Sequence, residues 1–201
     1  MKTTEILTEM PQNIEDLDWH DLYDTGKNRA FYRALTKNVR KKSVLKVFAT
    51  AEIFQLNSQF FCLDETSKRV TYYMKFEVGN NGKLGSFVWQ SLVWSDEGSP
   101  YLSGIPQKIF FEKLVPKFGT IITDSQQTWH GKRFWKLRIK EALDKNLNVY
   151  FYNFQDHQII KLDDFEAFRE VEKDNDVWGD FNAHKMKRIV ISNKDLPLRK
   201  D

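Results

Sequence analysis

Residues Ser103–Leu143 read SGIPQKIFFEKLVPKFGTIITDSQQTWHGKRFWKLRIKEAL, and the order of patterns within them decides the fold class. Phe110, Phe111, Leu114 and Val115 recur at the spacing of one helix face. Lys113 and Lys117 fall in the last turn, where cations suit the helix dipole, and Gly119 stands where a left-handed residue ends a helix. The β-branched run Thr120–Thr123 then predicts a short internal strand. A second helix is predicted from about Thr128 to Lys145, with Trp135, Ile139, Ala142 and Leu143 on one face and cations on the other.

Upstream, the turn-rich SDEGSPYLSGIPQ separates this unit from a strand over Phe87–Trp94. Before it, Val70, Tyr72, Met74, Phe76 and Val78 alternate with mostly polar residues, which predicts a strand with one buried face. Asn80-Asn81-Gly82 supplies a turn between the two. Phe60–Leu63 is an apolar strand, and Val44–Phe54 reads as the first strand of the sheet. Phe31, Ala34 and Leu35 predict a helix after Gly26, and Ile14, Leu17 and Leu22 a short one before it. Downstream, Asn148–Tyr152 and Gln158–Leu162 form a late hairpin through FQDH. Asp163 or Asp164 caps a short helix with Phe165, Phe168 and Val171, and Arg188–Ser192 reads as an edge or closing strand. The expected class is α/β (α+β): an antiparallel meander, a strand-helix-strand-helix unit with a parallel crossover, and a late hairpin, all on a mixed sheet. No repeat or linker interrupts it, so residues 1–201 are expected as one domain with a loose terminus over residues 1–12.

Composition agrees with a packed core, since 41% of residues are hydrophobic and 14% aromatic. The single Cys62 cannot form an internal disulfide, and the first residues lack the apolar stretch of a signal peptide, so a cytoplasmic setting is expected. No window holds the roughly 20 apolar residues of a membrane span. A net charge of +3, from 31 Lys and Arg against 28 Asp and Glu, is too balanced for phosphate binding by the global field.

The element order resembles that of the Gcn5-related N-acetyltransferase (GNAT) fold. Residues Ser103–Leu143 resemble its acetyl-CoA-binding half, most of all in divergent members from phages and mobile elements. The matching residues are Asp124, Ser125, Thr128, Gly131 and Trp135, and the resemblance covers roughly residues 60 to 162. It implies an N-acyltransferase using acetyl-CoA or a related acyl donor on an amine. Backbone N–H groups at Ser103, Gly104, Ile105 and Gln107 would cradle the pyrophosphate, as helix N-termini do. Leu92, Val93 and Trp94 would receive the pantetheine arm where their strand splays from Thr120–Thr123, and Thr128 would belong to the same cofactor site. Asp124, Ser125, His130 and Trp135 are the catalytic candidates. The chain departs from the family pattern in three ways: a single Gly104 in the loop, Pro106 without an N–H, and Trp135 where many members carry a Tyr able to protonate the thiolate. A non-catalytic protein that binds a partner protein through the same fold therefore stands beside the enzyme reading.

Several residues have two readings. Asp124 is a base at the carboxyl edge of the sheet, or a cap for the next helix with Ser125 or Thr128. His130 is an acid or base, or an exposed first-turn residue. Lys132, Arg133, Lys136, Arg138 and Lys140, with Arg40, Lys41, Lys42 and Lys46, form a nucleic-acid surface beside Trp129 and Phe134, or a solvated face, the reading favoured here. His20, His157, His184 and Cys62 show no metal-ligand spacing, and Cys62 in FFCLD reads as a buried small hydrophobe.

Overall fold

The structure, a computed structural model, describes residues 18–39, 43–48, 51–99, 104–124, 128–175, 177–178 and 186–197. It is a mixed α/β protein whose sheet carries both parallel and antiparallel neighbours. The chain divides into two compact units, Met1–Lys75 with Val93–Ile105, and Phe76–Leu92 with Pro106–Asp201.

The first unit begins with a 3-10 turn, Trp19–Leu22, whose Asp18 cap accepts the His20 N–H at 3.0 Å. Asp24 Oδ1 accepts the Lys27 N–H at 2.8 Å and starts α1, Thr25–Val39, which buries Phe31, Tyr32 and Leu35. Four antiparallel strands follow in order: β1 Ser43–Phe48, β2 Ala51–Leu56, β3 Gln59–Asp64 and β4 Arg69–Asn81, the last continuing into the second unit. The single strand expected over Val44–Phe54 is thus two, with Phe48 opposite Ala51. No Gly, Pro, Asn or Asp marks that reversal. β4 also differs from a strand with one buried face, because Val70 to Met74 are all buried. Alternation starts only after them, and Val78 is exposed. Buried Asn28 ties α1 to β4: its Nδ2 donates to the Leu22 and Val70 carbonyls, each at 3.0 Å, and its Oδ1 accepts the Val70 N–H at 2.7 Å.

The second unit contains most of β5, Gly85–Ser95, and, from Pro106 on, a helical rod in three parts: α2 Ile105–Lys108, a π segment Ile109–Leu114, and α3 Val115–Phe118. Pro116 lacks the N–H that would bond the Glu112 carbonyl, so regular α pairing cannot run through the rod. Gly119, at φ 77°, ends the rod as expected, its N–H donating to the Val115 carbonyl at 2.9 Å. β6 Thr120–Ile122, α4 Trp129–Asp144, β7 Asn148–Asn153, β8 Gln158–Leu162, α5 Phe165–Asn175 and β9 Lys187–Ser192 complete the unit.

Its strand order is β5-β6-β9-β7-β8. β6 runs parallel to β5, with Val88 beside Ile121, and the other neighbours are antiparallel. β9 is therefore interior, between β6 and β7, and the edge belongs to β8. Of the expectation of an edge or closing strand, the edge is not met; only Ile189, Val190 and Ile191 of the six β9 residues are apolar, a short run shared by edges and centres alike. Asp164 is the cap of α5, accepting the Ala167 N–H at 2.8 Å. One apolar cluster joins Phe87, Ile122, Tyr150, Tyr152, Ile159 and Val190 of the strands to Leu84 and Leu196, with Trp89 and Phe154 packed against it.

Candidate functional site

A cavity of about 350 Å³ opens beside that cluster in the second unit. Gly79 and Asn80 of β4, Phe87 and Trp89 of β5, Ile122, Thr123 and Asp124 from the end of β6, Phe154, Met186 and Arg188 line it. Strand alternation explains why these side chains meet. Ile122 pairs with Val190, both in the cluster, so positions two residues away along each strand, Asp124 and Arg188, project to the same face. The Phe87 and Trp89 rings lie 5.8 Å apart and the Phe154 ring stands edge-on to Phe87 at 6.4 Å, giving the cavity aromatic walls.

Thr123 fixes the point at which β6 leaves the sheet. Its N–H donates to the Ile189 carbonyl at 2.9 Å, while its Oγ1, not its carbonyl, accepts the Ile189 N–H at 3.1 Å. The backbone is thereby free to turn away, and Asp124 is left at the strand's carboxyl end. Burial pushes the Asp124 carboxyl up to about 7, opposed by the charge of Arg188. Burial in turn draws the Arg188 guanidinium down, opposed by Asp124.

Of the catalytic candidates among the described residues, the structure brings Asp124 alone to this cavity. Ser125 lies outside the described residues, as does Ser103. His130 is exposed in the first turn of α4, with its ring 5.2 Å from that of Trp129. Trp135 is 1% exposed and packs edge-on against Phe110 at 5.7 Å. Thr128 is the N-cap of α4, its Oγ1 accepting the Gly131 N–H at 3.1 Å. Gly104 takes φ 94° before α2, and among the described residues nothing lies within 4 Å of the place a Cβ would occupy. Ile105 is buried and Gln107 half-buried. Leu92 belongs to the second unit and is half-buried, whereas Val93 and Trp94 belong to the first. Val93 is exposed, and buried Trp94 meets the Tyr23 ring at 5.9 Å with its Nε1 lacking a hydrogen-bond partner among the described residues.

The basic surface expected on α4 is smaller than its sequence suggests. Arg138 is buried, donates to Glu141 at 3.1 Å and lies 5.3 Å from the Phe134 ring centre, so the cationic face expected there loses a member. Lys136 pairs with Glu172 at 2.6 Å. Arg133 and Lys140 remain exposed, and Arg40, Lys41, Lys42 and His184 lie outside the described residues. Among the described residues no group of three or more His, Cys, Asp or Glu is arranged to hold a metal, and no helix is long and apolar enough to cross a membrane.

Sequence reasoning reached Asp124 but missed Gly79, Trp89, Phe154 and Arg188 as its surroundings. The only signal they carried was the alternation that places Arg188 and Val190, or Phe87 and Trp89, on one face. No protein-family model, curated protein or solved structure matches the chain.

Proposed function

We propose that this chain is an N-acyltransferase in which Asp124 is the general base for an amine held in the cavity of the second unit. The observation that carries the reading is the Asp124 carboxyl itself, at the end of an internal strand, inside an aromatic-walled cavity and pushed up to about 7. A base titrating near the working pH combines adequate ionisation with strength enough to take a proton from an ammonium. The element order along the chain supports the reading too: strands β3, β4 and β5, a helical rod opened by Gly104, β6 parallel to β5, α4, and the β7–β8 hairpin.

In the step proposed, the ionised Asp124 takes one proton from the ammonium, and the freed nitrogen attacks the thioester carbonyl. The new C–N bond forms as the C–S bond breaks, and the proton lost when the nitrogen becomes an amide balances the one the thiolate gains. A coenzyme A thioester would supply the activated acyl group. The residues assigned to its pyrophosphate fit an anion in part: Gly104, at φ 94° and with no described residue against the place of a Cβ, lets a phosphate approach the backbone, while Pro106 removes one donor. Trp135, buried against Phe110, takes no part in proton transfer.

Calorimetric titration of acetyl-CoA, followed by an acyl-transfer assay over a panel of amines, tests the proposal. Micromolar binding lost in Gly104→Trp, with transfer lost in Asp124→Asn, is the expected result. Absence of binding to the intact chain would sink it.

A second reading, a partner-binding protein, draws on α4. Trp129 is 68% exposed and Leu137 50% exposed, and their spacing of eight residues sets them two turns apart on nearly one face. A partner docking there would be lost in Trp129→Ala and retained in Asp124→Asn.

A further inference from the structure

Asp124 shares its cavity with a second charge. The antiparallel register Thr120 to Ser192, Ile121 to Ile191 and Ile122 to Val190 continues through the Thr123 N–H bond to the Ile189 carbonyl. Asp124 follows Thr123 at the point where the chain leaves β6, and Arg188 precedes Ile189 in β9, so the two are rooted on either side of the Thr123–Ile189 contact. Both are half-buried, both line the cavity, and each feels the charge of the other. Of the remaining walls, Phe87, Trp89, Phe154, Ile122 and Met186 are apolar, Gly79 contributes backbone, and Asn80 and Thr123 are polar but uncharged.

This arrangement discriminates among small molecules by charge. A simple amine placed against Asp124 brings its positive charge next to that of Arg188, and a simple carboxylate placed against Arg188 brings its negative charge next to that of Asp124. A neutral apolar molecule satisfies neither group while desolvating both, which is costly. A molecule with an ammonium and a carboxylate on one carbon meets both at once within the one cavity that the two residues line. A residue within a polypeptide has no such pair. The volume of about 350 Å³ lies at the small end of the range for small-molecule pockets, about 300–1,000 Å³.

We infer that the acceptor bound in this cavity is a free α-amino acid with an apolar, above all aromatic, side chain. This rests on the reading of Asp124 as the base for an acyl acceptor. The amino group faces Asp124, the carboxylate faces Arg188, and the side chain lies among Phe87, Trp89 and Phe154.

The experiment is calorimetric titration, without any acyl donor, of L-phenylalanine, of 2-phenylethylamine, which lacks the carboxylate, and of 3-phenylpropanoate, which lacks the amine. Phenylalanine is expected to bind at least tenfold more tightly than either. Arg188→Gln should abolish its advantage over phenylethylamine, Asp124→Asn its advantage over phenylpropanoate, and Arg188→Lys should retain part of the first. Near-ultraviolet circular dichroism on each variant separates loss of the site from loss of the fold. Phenylethylamine binding as tightly as phenylalanine, an affinity ratio unmoved by Arg188→Gln, or no binding of the three would overturn the inference. The two proposals fail separately. Phenylalanine binding with no transfer once acetyl-CoA is added removes the acyltransferase and leaves the amino-acid site, whereas equal transfer to phenylethylamine and phenylalanine does the reverse.

Discussion

The ring of Phe87 lies where a side chain on Gly79 would start: a Cβ built there would fall 2.7 Å from Phe87 Cζ and 2.8 Å from Cε2, with Trp89 Cζ3 at 3.0 Å. The glycine at this point of β4 is a packing requirement, and it lets two aromatic rings approach the backbone at the cavity wall. Gly79→Ala is therefore expected to push both rings and to cost about 1–3 kcal/mol, the usual range for overpacking. Urea denaturation measures the cost, and quenching or shift of tryptophan fluorescence reports whether Trp89 has moved. An unchanged midpoint would show that the rings relax freely.

Asp124 makes stability depend on pH in a direction opposite to that of a salt-bridged carboxylate. Its folded value of about 7 stands above the ordinary 3.8, so between those values the folded chain binds a proton that the unfolded chain does not. Its contribution is fully present below about pH 4 and is lost as pH rises to about 7. Asp124→Asn, which cannot ionise, should be more stable than the natural chain at pH 8 by about 1–3 kcal/mol and nearly equal to it at pH 4. Thermal melts across that range decide the matter, and a difference independent of pH would refute the assignment.

Asn28 makes three buried hydrogen bonds with the Leu22 and Val70 backbones. Asn28→Ala leaves two carbonyls and one N–H without partners, so a loss of about 2–4 kcal/mol is expected. Hydrogen exchange at the Val70 amide should rise in step. Asn28→Asp tests the polarity of the bonds, because a carboxylate keeps the acceptor and loses both donations.

Cys62 is fully buried in β3, and burial raises its thiol to about 11. It is expected to resist iodoacetamide at pH 8 in the folded chain and to react fully in denaturant, with mass spectrometry as the readout. Fast labelling of the folded chain would mean that β3 opens locally.

The sequence was most legible where local chemistry alone decides the structure. Gly119 ends its helix, Thr128 and Asp164 cap theirs, and the strand-helix-strand passage from β5 to β6 follows its pattern. It was least legible where partners far along the chain decide. The reversal between Phe48 and Ala51 carries no turn residue, and nothing local in Lys187–Ser192 tells that the strand enters the middle of a sheet. Arg138 read as one more surface cation because only the fold shows Phe134 beneath it and Glu141 beside it. The site followed the same division: Asp124 was found from its place at the end of an apolar strand, and Arg188, 64 positions on in the numbering, was not.

The interior place of β9 makes the order of synthesis differ from the order of assembly. β6 leaves the ribosome with one strand neighbour available, and β7 with β8 only as a hairpin. The strand that joins them, Lys187–Ser192, comes last among the strands of the described residues. Until it arrives, the nascent second unit consists of two unjoined pieces of sheet, each with an open apolar edge, and Asp124 has no Arg188 beside it. The cavity is thus among the last features to form, and it becomes able to hold a ligand only after the sheet has closed.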